Sequence, residues 1–99
     1  MVTTSSALNQ TPDRLPQLLD IVQAKDLCDS LIFLIAQGPV RLDASDVERM
    51  STPSAQVMLA AGRAADAAGI DFKIVDASEV FRNGLQDLGL RAEFTKWMV

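Results

Sequence analysis

Apolar and polar positions along the chain switch between strand-like and helix-like spacing. Leu15-Pro16-Gln17-Leu18-Leu19-Asp20-Ile21-Val22 predicts a first strand, with Pro16 near its start or at a sheet edge because proline has no N–H to give to a ladder. From Ala24 to Gln37, Leu27, Cys28, Leu31 and Ile35 recur at helical spacing, and Gly38-Pro39 supplies the stop. Within it, Leu31-Ile32-Phe33-Leu34-Ile35 is apolar without a break and covers every face of a helix. Either some of these side chains stay exposed, Phe33 or Leu34 first, or the run is a strand turning through Gly38-Pro39.

Val40 to Ala44 predicts a short strand and Ser45 to Thr52 a loop. Pro53 to Ala68 is a helix rich in alanine, the best helix former, ended by Gly69. Thr52 suits its N-cap and Pro53 its first turn, where a missing N–H costs nothing. Asp71 to Val75 predicts a strand, and Ser78 caps a helix over Glu79 to Leu88, closed by Gly89. Phe94, Trp97 and Met98 make a tail that packs back on the body. Residues 1–13 are polar and small, a tail or an edge strand, ahead of one domain over 14–99. Strands alternating with helices define an α/β class with a largely parallel or mixed sheet covered by helices.

Composition narrows the chemistry. The 99 residues carry a formal charge of −4 with no cluster of Lys and Arg, which argues against nucleic acid and against an anionic membrane surface. The lone Cys28 excludes an internal disulfide, and no basic, apolar leader or membrane-spanning run is visible, so a cytoplasmic setting without membrane insertion is expected. No histidine is present, which removes the commonest general base and metal ligand and leaves no nucleophile–base pair, so neither an enzyme nor a cofactor is expected. Asp43, Asp46 and Asp76 fall near strand ends, where a hard cation is conceivable but loop capping is the plainer role. Cys28, on the apolar stripe near Lys25, is expected to be a buried structural thiol. Arg63 and Asp66 are spaced to pair on one helix face.

Met50-Ser51-Thr52-Pro53-Ser54-Ala55-Gln56-Val57 is the segment with most to say. Three hydroxyls crowd a helix start, where free N–H groups and the helix dipole accommodate a phosphate. The same residues serve equally as a cap and a turn.

Val40-Arg41-Leu42-Asp43-Ala44-Ser45 with Val47 and Met50, then the hydroxyl-rich turn and an apolar helix, resembles the STAS domain family. The likeness continues through Ala68-Gly69-Ile70-Asp71-Phe72-Lys73-Ile74-Val75, Val80-Phe81, Leu85 and Leu88-Gly89-Leu90, covering roughly residues 15 to 95. It implies a small mixed β-sheet with helices packed mainly on one side, and a place among anti-sigma factor antagonists and the small STAS subunits of bacterial lipid-transport and chemotaxis-linked systems. In the antagonists a serine or threonine at the start of this helix is phosphorylated by a partner kinase, within Asp-Ser-Ser-Gly or Asp-Thr-Ala-Gly. Here Ser51 stands for the Asp, Thr52 for the first hydroxyl, Pro53 where many members carry the acceptor, and Ser54 for the glycine. Proline cannot be phosphorylated, which makes Thr52 the leading acceptor, ahead of Ser51 and Ser54.

The resemblance thus implies a regulatory module; the missing histidine and nucleophile–base pair make it non-catalytic, and the alternating elements, burying one continuous core, make it monomeric on its own. It would dock through residues 44–56, with Met50, Ser51, Thr52, Pro53, Ser54 and Gln56 in contact, on an anti-sigma factor kinase or a chemotaxis-type histidine kinase. One alternative is an unphosphorylated subunit stabilising a larger assembly such as a lipid ABC-transport complex, which an exposed part of Leu31 to Leu34 would suit. Another is a small-ligand or nucleotide binder, which lacks the support of a phosphate-cradling glycine loop.

Overall fold

A computed structural model describes residues 13–99 of the chain. The polar segment expected as a tail or edge strand lies outside these residues except for Asp13. Five short strands and four helices follow: β1 (Asp13–Arg14), β2 (Leu18–Leu19), α1 (Ala24–Gln37), β3 (Val40–Asp43), β4 (Arg49–Met50), α2 (Thr52–Ala68), β5 (Phe72–Val75), α3 (Glu79–Asp87) and α4 (Arg91–Phe94). Strands β1, β3 and β5 form one sheet in that order, and β2 pairs with β4. Every strand pairing among the described residues is parallel, as helical crossovers between strands require. The expected α/β class holds.

The first predicted strand is broken in two. Before Pro16 the chain runs along β3, with the Leu15 amide donating to the Asp43 carbonyl; beyond it the chain pairs with β4. It does not continue as strand to Val22, because the Asp20 carboxylate accepts the Gln23 amide and closes a 3-10 turn over Ile21–Gln23. The loop expected over Ser45 to Thr52 accordingly contains β4, which β2 needs as a partner. The helix over Ala24–Gln37 prevails over the hairpin alternative. Leu31 is buried, Leu34 and Ile35 are half-buried, and Ile32 and Phe33 stay about three-fifths exposed at 63% and 62%. Cys28 is half-buried rather than enclosed, since it stands at the open side of the contact between α1 and α2.

The core lies between the sheet and the helices. Val40, Leu42, Phe72 and Ile74 of the sheet pack with Leu31, Met58, Phe81, Leu85, Phe94 and Trp97. On α2, Ser54, Ala55, Met58, Gly62 and Ala65 form the buried stripe at helical spacing. The C-terminus packs back as its aromatic residues imply. Trp97 sits edge-on to Phe72 and Phe94, at centroid distances of 5.6 and 5.2 Å, and its carbonyl accepts the Ile74 amide. Helix α3 starts at the Ser78 cap as expected and ends at Asp87, one residue short of the expected Leu88.

Arg63 and Asp66 do not pair with each other. Each reaches instead to the C-terminal segment: Arg63 to Glu93 at 3.2 Å, and Asp66 to Lys96 at 2.8 Å. Asp66 also accepts the Trp97 indole N–H at 3.3 Å. These two donors, Lys96 first, hold the Asp66 carboxyl below its ordinary value of 3.8. A carboxyl whose folded pKa is depressed stabilises the fold above the unfolded value and loses that contribution as pH falls through the folded one. Asp66→Asn is therefore expected to melt below the parent near pH 6, the gap closing as pH falls toward about 2, as thermal scans across that range will show.

Candidate functional site

Helix α2 begins where β4 ends, and the sequence dictates how. The Ser51 amide donates to the Leu19 carbonyl at 2.7 Å, which holds Ser51 extended at φ −93°, ψ 160°. That geometry makes Ser51 the N-cap of α2, its Oγ accepting the Ser54 amide at 3.3 Å. The cap is thus one residue earlier than expected: Thr52 is the first helical residue and Pro53 the second. Ser and Thr cap almost equally well, so the neighbouring strand, not the residue type, sets the register.

The three hydroxyls separate into two roles. Ser51 Oγ–H donates to Ser54 Oγ at 3.1 Å, and Ser54 Oγ–H donates in turn to the Asp20 carbonyl at 3.2 Å. Each proton is used once in a relay that ties α2 to the turn after β2. Ser54 is fully buried and Ser51 half-buried. Thr52 is exposed, and its hydroxyl bonds to no described residue. Gln56, one turn on, is also exposed, and Pro53 is half-buried against α1. Met50 turns the other way. Its side chain lies over Gly84 of α3, where an added Cβ would sit 3.1 Å from the Met50 methyl. Of the six residues expected to form the docking surface, Thr52 and Gln56 are presented outward, while Met50, Ser51 and Ser54 mainly build the support.

The helix start is poorer in free amides than its position suggests. The Ser54 N–H is capped, Pro53 has none, and the Ala55 amide donates to the Ser51 carbonyl. Only the Thr52 amide is left among the first three. An anion at Thr52 therefore interacts chiefly with the helix dipole and with water, not with a ring of N–H donors.

The loop ahead of β4 is held by carboxylates. Asp43 accepts the Ser45 amide at 2.9 Å, and the Ser45 side chain first and this amide second hold its carboxyl below the ordinary 3.8. Asp46 pairs with Arg14 at 3.1 Å, and Asp76 adopts a positive φ of 51° after β5. With its amide accepted by Ala44 and its Oγ donating to the Val47 carbonyl, Ser78 ties this loop to α3. Asp43 and Asp46 serve the loops, the Asp76 carboxylate bonds to no described residue, and no group of three metal-ligating side chains gathers among the described residues. No described helix is long and apolar enough to cross a membrane. Periodicity missed the Asp20 carbonyl that anchors Ser54, although Asp20 three residues before Gln23 is a recognisable turn signal.

A parallel sheet with a strand leading into a hydroxyl-bearing helix start is shared with a known class of domains. The chain belongs to the STAS domain family, whose model matches residues 14–98. The solved structure of the anti-sigma factor antagonist SpoIIAA in its unphosphorylated form aligns with a TM-score of 0.69 over 91% of this chain and 81% of that one. Identity between the two is 18%, so the likeness is one of fold. Among curated proteins no match is found.

Proposed function

We propose that this chain is a regulatory module that binds another protein through residues 44–56, with Thr52 as the position where charge controls docking. The observation that carries this reading is the sorting of the hydroxyls. Ser51 and Ser54 are occupied in holding the helix start, whereas Thr52 is presented to solvent at its tip. A kinase reaches Thr52 without disturbing the fold; Ser54 is accessible only after α2 separates from the Asp20 turn. Membership of the STAS family and the fold shared with an anti-sigma factor antagonist support a partner such as an anti-sigma factor or its kinase. Pro53, which removes the usual acceptor, favours one second reading, an unphosphorylated subunit of a larger assembly that uses the same surface.

The test is comparative capture from extracts of the native cells, with the parent, Thr52→Ala and Thr52→Asp as baits and quantitative mass spectrometry as the readout. A partner held by the parent and by Thr52→Ala should fall about tenfold or more on Thr52→Asp, because an unpaired charge in a desolvated interface opposes binding more than a lost methyl and hydroxyl. Equal recovery on Thr52→Asp overturns the charge-controlled docking. Phosphate found on Thr52 in the captured bait separates the switched module from the constitutive subunit.

A further inference from the structure

Helices α3 and α4 and the C-terminal segment frame a pocket of about 310 Å³, lined by Arg82, Leu85, Arg91, Thr95 and Met98. Leu85 is buried and Met98 half-buried, while Arg82, Arg91 and Thr95 are exposed. The pocket therefore has an apolar floor and a cationic rim, and no carboxylate lines it. None of its residues belongs to the docking surface over 44–56.

That rim stands against the charge pattern of the rest of the chain. Of the nine Lys and Arg side chains, Arg14, Lys25, Arg63, Lys73 and Lys96 are each ion-paired. Arg41, Arg49, Arg82 and Arg91 are not, although 13 acidic residues outnumber the nine basic ones. Two of these uncompensated cations share one small pocket. The acidic residues nearest in sequence do not neutralise them: Glu93 is taken by Arg63, and Glu79 and Asp87 make no ion pair. Arg91 donates instead to Gln86 Oε1 at 3.4 Å, and Gln86 lies one helical turn beyond Arg82 on α3. A neutral amide orients the guanidinium without cancelling its charge. Thr95 Oγ–H donates to the Arg91 carbonyl at 2.8 Å and fixes the backbone beneath it. Two guanidinium forks without a carboxylate match an anion that carries more than one charge and several acceptor oxygens. A carboxylate supplies one charge, whereas a phosphate monoester supplies up to two with three oxygens. Leu85 and Met98 suit the organic part of such an ester, and the volume lies at the small end of small-molecule sites.

We propose that this pocket binds the phosphate monoester of a small organic molecule, its phosphate oxygens held by Arg82 and Arg91 and its organic group over Leu85 and Met98. The site stands apart from the reading of residues 44–56 and needs no protein partner.

The test is a titration of the isotope-labelled chain with phenyl phosphate at constant ionic strength, followed by the backbone amide and arginine side-chain resonances. Saturating shifts centred on Arg82, Gln86, Arg91, Thr95 and Met98 are expected, with a Kd of about 1 mM or below. Benzoate, which keeps the ring but carries one charge, binds about tenfold more weakly. Inorganic phosphate, which lacks the ring, binds at least about threefold more weakly. Arg82→Gln and Arg91→Gln each weaken phenyl phosphate about tenfold, and the two together abolish saturation. Both positions are exposed, so all three variants melt like the parent. The proposal falls if phenyl phosphate gives no saturating shift up to about 10 mM, or if the shifts survive in the double variant. It falls equally if benzoate binds as tightly as phenyl phosphate. A phosphoserine peptide that binds about tenfold more tightly than phenyl phosphate overturns the small-molecule assignment and gives the pocket to a phosphorylated protein.

Discussion

Gly62→Ala is expected to lower the melting temperature by roughly 5–15 °C, although alanine is the better helix former. A Cβ built on Gly62 would lie 2.5 Å from two atoms of the Trp97 ring and 2.7 Å from a third. The ring has nowhere to go. Its N–H donates to Asp66, its faces and edges meet Phe72 and Phe94, and its backbone carbonyl is bonded to Ile74 in β5. Overpacking of this kind destabilises by about 1–3 kcal/mol, while the gain in helix propensity is about 1 kcal/mol at most. The ring is held on every side, which places the cost in the upper part of that range and leaves a net loss of about 1–2 kcal/mol; at about 4–8 °C per kcal/mol for a chain of this size this gives roughly 5–15 °C. The explanation makes a second demand. In a Trp97→Phe background the smaller ring leaves room for the methyl, so Gly62→Ala should turn neutral or stabilising there. Thermal melts of the four proteins, followed by circular dichroism because the only tryptophan is lost, complete the cycle. The same destabilisation in both backgrounds would show that Gly62 is not required by Trp97.

Gly62 also marks the limit of what the chain's pattern can show. Within an alanine-rich helix it looks like a weak spot, and nothing local says that a tryptophan 35 positions on will lie against it. What periodicity does show well is the set of long elements: α1, α2, α3, β3 and β5 are legible because each repeats a spacing over four or more residues. The two-residue strands β1, β2 and β4 are too short to carry a period, and they exist because the backbone on either side of Pro16 finds two different partners. The four-residue α4 is hidden for the same reason. At the candidate site the residues themselves were legible, and their structural roles were not. Ser51, Thr52 and Ser54 are chemically near-equivalent, and only the Leu19 and Asp20 carbonyls, brought in by β2, decide which of them caps, which is buried and which faces solvent. The exposure of Ile32 and Phe33 was legible only in outline, because one helix's stripe does not reveal how much of it a second helix will cover; the uninterrupted run Leu31 to Ile35 was the single sign that something apolar stays outside.

Two acidic substitutions two residues apart, at Ser54 and Thr52, should behave as opposites. Ser54→Asp places a carboxyl at a fully buried position where the serine hydroxyl donated to the Asp20 carbonyl. A carboxylate there faces that carbonyl without a donor, at an expected loss of roughly 2–4 kcal/mol near neutral pH. Burial raises the folded pKa of such a group above its unfolded value of about 3.9. The sign then follows: the variant is nearest the parent below the unfolded pKa, where both states are protonated, and falls away as pH rises toward the folded pKa. Thr52→Asp puts the same charge at the exposed first residue of α2, where the helix dipole favours it by about 0.3–1 kcal/mol. It should melt at or slightly above the parent and gain, not lose, as its carboxylate ionises. Ser51→Ala, which removes the true cap, should lose about 1 kcal/mol, whereas Thr52→Ala should lose almost nothing. Melting curves of the four variants between about pH 4 and pH 8 separate these outcomes. If Thr52→Asp melts as low as Ser54→Asp, the two hydroxyls are not sorted as described and Thr52 is part of the support. If the order holds, loss of partner binding by Thr52→Asp is a property of the surface, because the fold beneath it is intact.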